Sequence, residues 1–122
     1  MALTVFTVDD SQSIREMMNY TLSEAGYNVL EAEDGVEALK VLETNKADVI
    51  VTDLNMPNMD GITLIKSLRE KPEYKGTPIL MLTTESDAGK KAAGKEAGAT
   101  GWIVKPFKPE KLIAVIKKVA GE

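Results

Sequence analysis

The sequence predicts an α/β domain built on a doubly wound parallel sheet. Five short β-prone runs alternate with five helical patterns over 122 residues, which is the rhythm of repeated strand–helix crossovers. The third run, Asp48-Val-Ile-Val-Thr-Asp53, is continuously apolar between its end residues, as a strand covered on both faces must be. Polar residues close several of the runs at their carboxyl ends, the edge where open parallel sheets bind ligands.

Leu3-Thr-Val-Phe-Thr-Val8 reads as the first strand and ends in Asp9-Asp10-Ser11-Gln12-Ser13. The helix that follows carries Ile14, Met17, Met18, Leu22 and Ala25 on one face, and Gly26 stops it. Tyr27–Ala32 is a short second strand. Glu33-Asp34-Gly35 turns into a helix with Val36, Leu39 and Leu42. After the Asp53 strand, the loop Leu54-Asn-Met-Pro-Asn-Met-Asp-Gly61 leads into a helix over Gly61–Glu70, patterned by Ile62, Leu64, Ile65 and Leu68 and closed by Lys71-Pro72. In that loop Asp60-Gly61 reads as a turn. Thr77–Thr84 is a fourth strand. The helix from Asp87 to Ala97 is the weakest, because Gly89 and Gly94 each cost about 1 kcal/mol relative to Ala in a helix interior and its apolar face has only alanines. Gly101–Val104 is the fifth strand, Lys105–Pro109 a loop, and Leu112, Ile113, Ile116, Val119 and Ala120 stripe the last helix.

The composition narrows the chemistry. A chain of this length fits one domain, 1–122, with a core that needs no staples. Cysteine is absent, which excludes disulfides and thiolate sites, and histidine is absent, which removes the commonest general base and any phosphohistidine on this chain. The net charge of −4 gives no overall basic field for nucleic acid. No basic leader precedes an apolar segment, and no apolar run approaches the roughly 18 residues of a membrane span. A cytoplasmic protein is the expectation.

The strand ends bring together Asp9, Asp10, Asp53, Thr83, Thr84 and Lys105. Close carboxylates raise one another's pKa unless a cation joins them. Oxygen donors without His or Cys favour Mg²⁺, which leaves coordination for a phosphate oxygen. Lys105 adds a positive charge and Thr83 a hydroxyl donor. The set suits phosphoryl transfer onto Asp53. Taken singly, each residue has a plainer explanation: Asp9 and Asp10 as helix caps, Asp53 as a turn residue, Thr83 as a buried strand hydroxyl, Trp102 as packing, and Lys90, Lys91 and Lys95 as a solvated helix face. The convergence of four strand ends favours a site.

Val8-Asp-Asp10, Asp53-Leu-Asn-Met-Pro-Asn-Met-Asp-Gly61, Leu82-Thr83 and Lys105-Pro-Phe107 resemble, in order and spacing, the receiver domain of bacterial two-component response regulators. The resemblance covers Leu3 to Ala120 and is closest to the stand-alone, CheY-like chemotaxis members. It implies a flavodoxin-like five-stranded sheet of order 2-1-3-4-5 with five helices. It also implies that Asp53 is the phosphoacceptor, charged by a histidine kinase. Asp10, Asp53 and the main-chain carbonyl of Asn55 would bind Mg²⁺, with Asp9 assisting through water. Lys105 and Thr83 would contact the phosphoryl group, Thr83 and Trp102 would act as the switch pair, and Pro106 would follow a cis bond. Two positions depart from the family pattern: Thr84, where relatives usually carry Ala or Gly, and Trp102, where Tyr or Phe is usual.

On this reading the chain is a monomeric, phosphorylation-operated signalling module rather than an enzyme, with self-catalysed phosphotransfer and autodephosphorylation. An unknown downstream protein would bind the face made by the fourth helix, fifth strand and fifth helix, with no nucleic acid or membrane partner. The alternative is a Mg²⁺-dependent aspartyl-phosphate phosphatase using Asp53, against which Asn55 stands where a second acid is required. A flavin carrier on the same fold is disfavoured because Asp9 and Asp10 would repel the cofactor phosphate.

Overall fold

The apolar run ending at Asp53 is the middle strand of the sheet. In the computed structural model, which describes residues 3–84 and 88–121 without the side chain of Thr84, the elements are β1 (Thr4–Val8), α1 (Gln12–Glu24), β2 (Asn28–Ala32), α2 (Gly35–Thr44), β3 (Val49–Asp53), α3 (Gly61–Arg69), β4 (Ile79–Thr84), α4 (Ala88–Ala97), β5 (Gly101–Lys105) and α5 (Pro109–Ala120). All strand pairs are parallel, as the alternating pattern predicts, and the order is β2-β1-β3-β4-β5, as the family resemblance implies. The chain leaves β1 toward β2 and returns past it to β3, so the strand order reverses between β1 and β3, where their carboxyl ends flank a crevice.

Alternation along the central strands sends successive side chains to opposite layers. Val49, Val51, Leu80 and Leu82 join Met18 and Leu22 of α1 and Leu112 and Ile116 of α5. Ile50, Ile79 and Met81 join Ala38 and Leu42 of α2 and Leu64, Ile65 and Leu68 of α3. Each large apolar side chain closed off in this way contributes about 1.5–3 kcal/mol, which explains why β3 has no polar residue before Thr52. Three expected inward positions differ. Met17 is 42% exposed, and Ala25 and Val36 are also exposed, while Met18 and Leu22 of α1 and Ala38 and Leu42 of α2 are buried; the buried stripes are narrower than the apolar count suggests.

The helix boundaries follow from local chemistry. Ser11 caps α1, its hydroxyl accepting from the Ile14 N–H at 3.4 Å. Asp34 caps α2 by accepting from the Glu37 N–H at 2.8 Å, and Asp60 caps α3 by accepting from the Thr63 N–H at 2.7 Å. Asp60-Gly61 is therefore a helix start rather than a turn alone. Pro72 does more than end α3: it begins a short 3-10 helix, Pro72–Tyr74. Arg69 ties this segment together, donating to the carbonyls of Tyr74, Thr77 and Gly98 at 2.5, 2.8 and 2.9 Å. The Lys105–Pro106 bond is cis. The expected start of α4 at Asp87 lies outside the described residues, and no helix among those described is long and apolar enough to cross a membrane.

Two glycines of the helices sit in opposite circumstances. A Cβ at Gly61 would lie 2.1 Å from the carbonyl oxygen of Asp53, whereas one at Gly89 would meet nothing within 4 Å. Gly61→Ala should therefore lower stability by roughly 1–3 kcal/mol, the overpacking range, because backbone must move. Gly89→Ala should raise it by up to about 1 kcal/mol through helix propensity. Urea unfolding of both variants checks this pair of opposite signs.

Candidate functional site

β1 and β3 end side by side, and each ends in acid. Val8 pairs with Thr52, so Asp9 and Asp53 follow at the same level of the sheet. One carboxylate oxygen from each of Asp9, Asp10 and Asp53 lies within 4.8 Å of the others. Asp9 is fully buried and Asp53 is 9% exposed, while Asp10 faces solvent. Lys105, the last residue of β5 rather than the first of a loop, reaches over β4 to both strands. Its amine stands 3.3 Å from Asp9 Oδ2 and 3.2 Å from Asp53 Oδ1. Three acids and one amine leave negative charge in excess.

The two buried acids are held differently. Asp9 Oδ1 accepts from the Ser11 N–H at 2.9 Å, which also turns the chain into α1. Asp53 Oδ1 accepts from the Leu54 N–H at 2.9 Å, and the Asp53 carbonyl receives the Thr52 hydroxyl at 2.9 Å. Burial raises the Asp9 pKa above its usual value; donation from Ser11 opposes the rise, the Asp53 charge adds to it, and Lys105 opposes it. A desolvated acid among like charges, with oxygen donors only, fits a hard cation.

Thr83 is buried near the end of β4, one residue beyond Leu82, the register partner of Asp53. It pairs with Val104, and Thr84 pairs with Lys105. The fourth strand thus ends between the lysine and the central acid. Whether the Thr84 side chain narrows the approach to Asp53 concerns atoms outside those described. Trp102 lies on β5 opposite Met81 and is 43% exposed, with the Lys91 amine 5.6 Å from its ring centroid.

Asn55 lies in the exposed loop between β3 and α3, and two contacts of that loop were not legible beforehand. Asn58, at φ +67°, donates to Asp34 Oδ2 at 2.9 Å. That contact, after the Glu37 N–H, holds the Asp34 pKa below its usual value. On the other side, Lys90 of α4 donates to Asn55 Oδ1. Lys90 and Lys91 are therefore not a simply solvated face: one amine turns to the acid-bearing loop and the other to Trp102. No residue spacing signals such contacts, because they depend on where α4 lies over the sheet edge.

The response regulator receiver domain family matches residues 5–117. The chain is 41% identical over 121 residues to the chemotaxis protein CheY1 of Helicobacter pylori, covering 98% of both chains. It is 42% identical over 115 residues to the alkaline phosphatase synthesis transcriptional regulatory protein PhoP of Bacillus subtilis, covering 94% of this chain but only 47% of that regulator, about half its length. Among solved structures, the chemotaxis response regulator CheY4 of Vibrio cholerae superposes with a TM-score of 0.93 at 50% identity, over 98% of this chain and 99% of that one. With the β2-β1-β3-β4-β5 sheet and the acids grouped at its reversal point, these likenesses agree: the chain belongs to the response regulator receiver domain family.

Proposed function

We propose that Asp53 is the phosphoacceptor of this phosphorylation-dependent signalling domain. We propose further that Mg²⁺ is held by Asp10, Asp53 and the main-chain carbonyl of Asn55, with Asp9 acting through water. The observation that carries this reading is the Lys105 amine set 3.2 Å from Asp53 beside two further acids at the carboxyl edge of the sheet. When bound, Mg²⁺ would offset the charge of the phosphoryl oxygens and orient them for in-line attack. A carboxylate oxygen of Asp53 forms the new O–P bond as the P–N bond of a kinase phosphohistidine breaks, its electron pair leaving with the imidazole. Lys105 shifts from the Asp53 carboxylate to the arriving phosphoryl oxygens, and the Thr83 hydroxyl donates to them. Asp9 stays anchored by Ser11 and balances the lysine.

The same reading makes residues 1–122 one cytoplasmic receiver domain, a monomer charged by a histidine kinase and returned to rest by autodephosphorylation. A downstream protein would read the α4–β5–α5 face. Near end-to-end similarity to CheY1 and CheY4 supports a chemotaxis setting. Signal would pass from Thr83 to Trp102. Inward rotation of the indole would give up the Lys91 contact, about 0.5–1 kcal/mol at an exposed site, against about 1–2 kcal/mol from burying part of the ring. The two are of the same order, so the phosphoryl group can shift the population.

A small phosphodonor with Mg²⁺ should give a base-labile adduct on Asp53 that Asp53→Asn abolishes; peptide mass spectrometry placing the phosphate on Ser11 or Ser13 would overturn the assignment.

Thr83→Ala should still accept phosphate but lose most of the response at residues 88–104, read by NMR with beryllofluoride as phosphoryl mimic. A full wild-type response would break the proposed route.

Asp9 sets a pH dependence. Its folded pKa lies above its unfolded value, so the folded state holds the proton more tightly. The contribution of Asp9 to stability is present below the unfolded pKa and is lost as pH rises through the folded one. In chelator at neutral pH, Asp9→Asn should therefore be more stable than wild type, with a flatter profile from pH 4 upward by about the effect of one titrating group. Urea unfolding across pH measures it, and Mg²⁺ should narrow the difference.

A further inference from the structure

α4 is attached to the domain differently at its two ends. Toward its C-terminal end, Gly94 backs onto Met81, where a Cβ would lie 1.8 Å from the sulfur, and Arg69 holds the Gly98 carbonyl just beyond the helix. Nearer its start, the helix meets the β3–α3 loop through Lys90, whose amine donates to Asn55 Oδ1. The far side of that loop is already braced on α2, by Asn58 on Asp34 and by Met59 packed where a Gly35 Cβ would stand. Asn55 itself is exposed, so its own burial does not fix its place.

We propose that Lys90 is a positioning residue for the cation site: by holding the Asn55 side chain it sets the main-chain carbonyl of the same residue toward Asp10 and Asp53. The proposal rests on the site reading above and deepens it. Coupling of this kind is reciprocal, so cation binding steadies the first turns of α4 by the same amount that Lys90 favours the cation. The helix then senses the loaded cation before phosphate arrives. Charge alone predicts the opposite sign. A lysine acting only as a neighbouring cation repels Mg²⁺, and removing it would tighten binding; removing a brace weakens it.

The test is isothermal titration of the full chain with Mg²⁺, using wild type, Lys90→Met, Asn55→Ala and the double variant. Met keeps the stem of Lys90 without its amine, and Ala keeps the Asn55 carbonyl. Each single variant should bind Mg²⁺ roughly tenfold more weakly, the low end for partners that orient a metal ligand, and the double variant should be no weaker than either. Hydrogen exchange over residues 88–97 should slow on Mg²⁺ addition in wild type and not in Lys90→Met, with thermal melts in chelator confirming that each variant is folded. Wild-type or tighter affinity in Lys90→Met, or additive losses in the double variant, would overturn the proposal alone. Failure of wild type to bind Mg²⁺, or equally tight binding by Asp10→Asn, would overturn the site reading and this proposal with it.

Discussion

The carboxyl edge of this domain depends on one ammonium group placed between two carboxylates. Asp9 and Asp53 are drawn almost out of water by the strands that carry them, and a buried acid without a partner costs several kcal/mol. Lys105 meets both, yet it arrives from the outermost strand and from 96 residues along the chain. The bridge therefore forms only when the strand order is correct. An ion pair of this kind contributes little net stability, because desolvation takes back what attraction supplies. Its worth lies in holding two acids close with one amine between them while a third acid stands beside them, an oxygen-rich setting that suits a hard cation.

The fold was legible because its signals are local and repeated. Continuous apolarity marked β3, and the acids, threonine and lysine that form the site each closed a run, so that one rule about parallel sheets brought them together. The limits were physical too. Met17, Ala25 and Val36 looked like core residues because counting apolar positions does not say how wide a stripe the sheet covers; Met18 is buried as the count expects, and Ala38 is buried where Val36 is exposed. Gly94 looked like a defect in α4, and its reason, the sulfur of Met81, belongs to another strand. Arg69, Lys90 and Asp34 reach atoms 24 to 35 residues along the chain at Gly98, Asn55 and Asn58, and nothing periodic announces a side chain that bonds to such partners.

α4 shows how weak helical propensity and specific placement coexist. A side chain at Gly89 would meet nothing within 4 Å, while Gly94 leaves room for the Met81 sulfur against the helix. The helix is consequently held by tertiary contacts more than by its own backbone, the circumstance in which a few changed contacts alter position or order. Its two adjacent lysines face different structures, the acid-bearing loop and the exposed indole of β5. A single short helix thus borders both the chemistry and the surface proposed to report it.

Arg69 has a consequence beyond local stability. Its guanidinium fastens the chain just after α4 to the segment that leads into β4, through the carbonyls of Gly98, Tyr74 and Thr77. A helix so fastened does not have to come away as a unit. It can unwind turn by turn from the end beside the acids while its last residues still cover Met81, so exposing the site end costs the order of a turn or two rather than the whole element. Such partial opening would also have a direction: it would proceed away from the site and stop at the clamp, leaving the return path already registered when the helix rewinds.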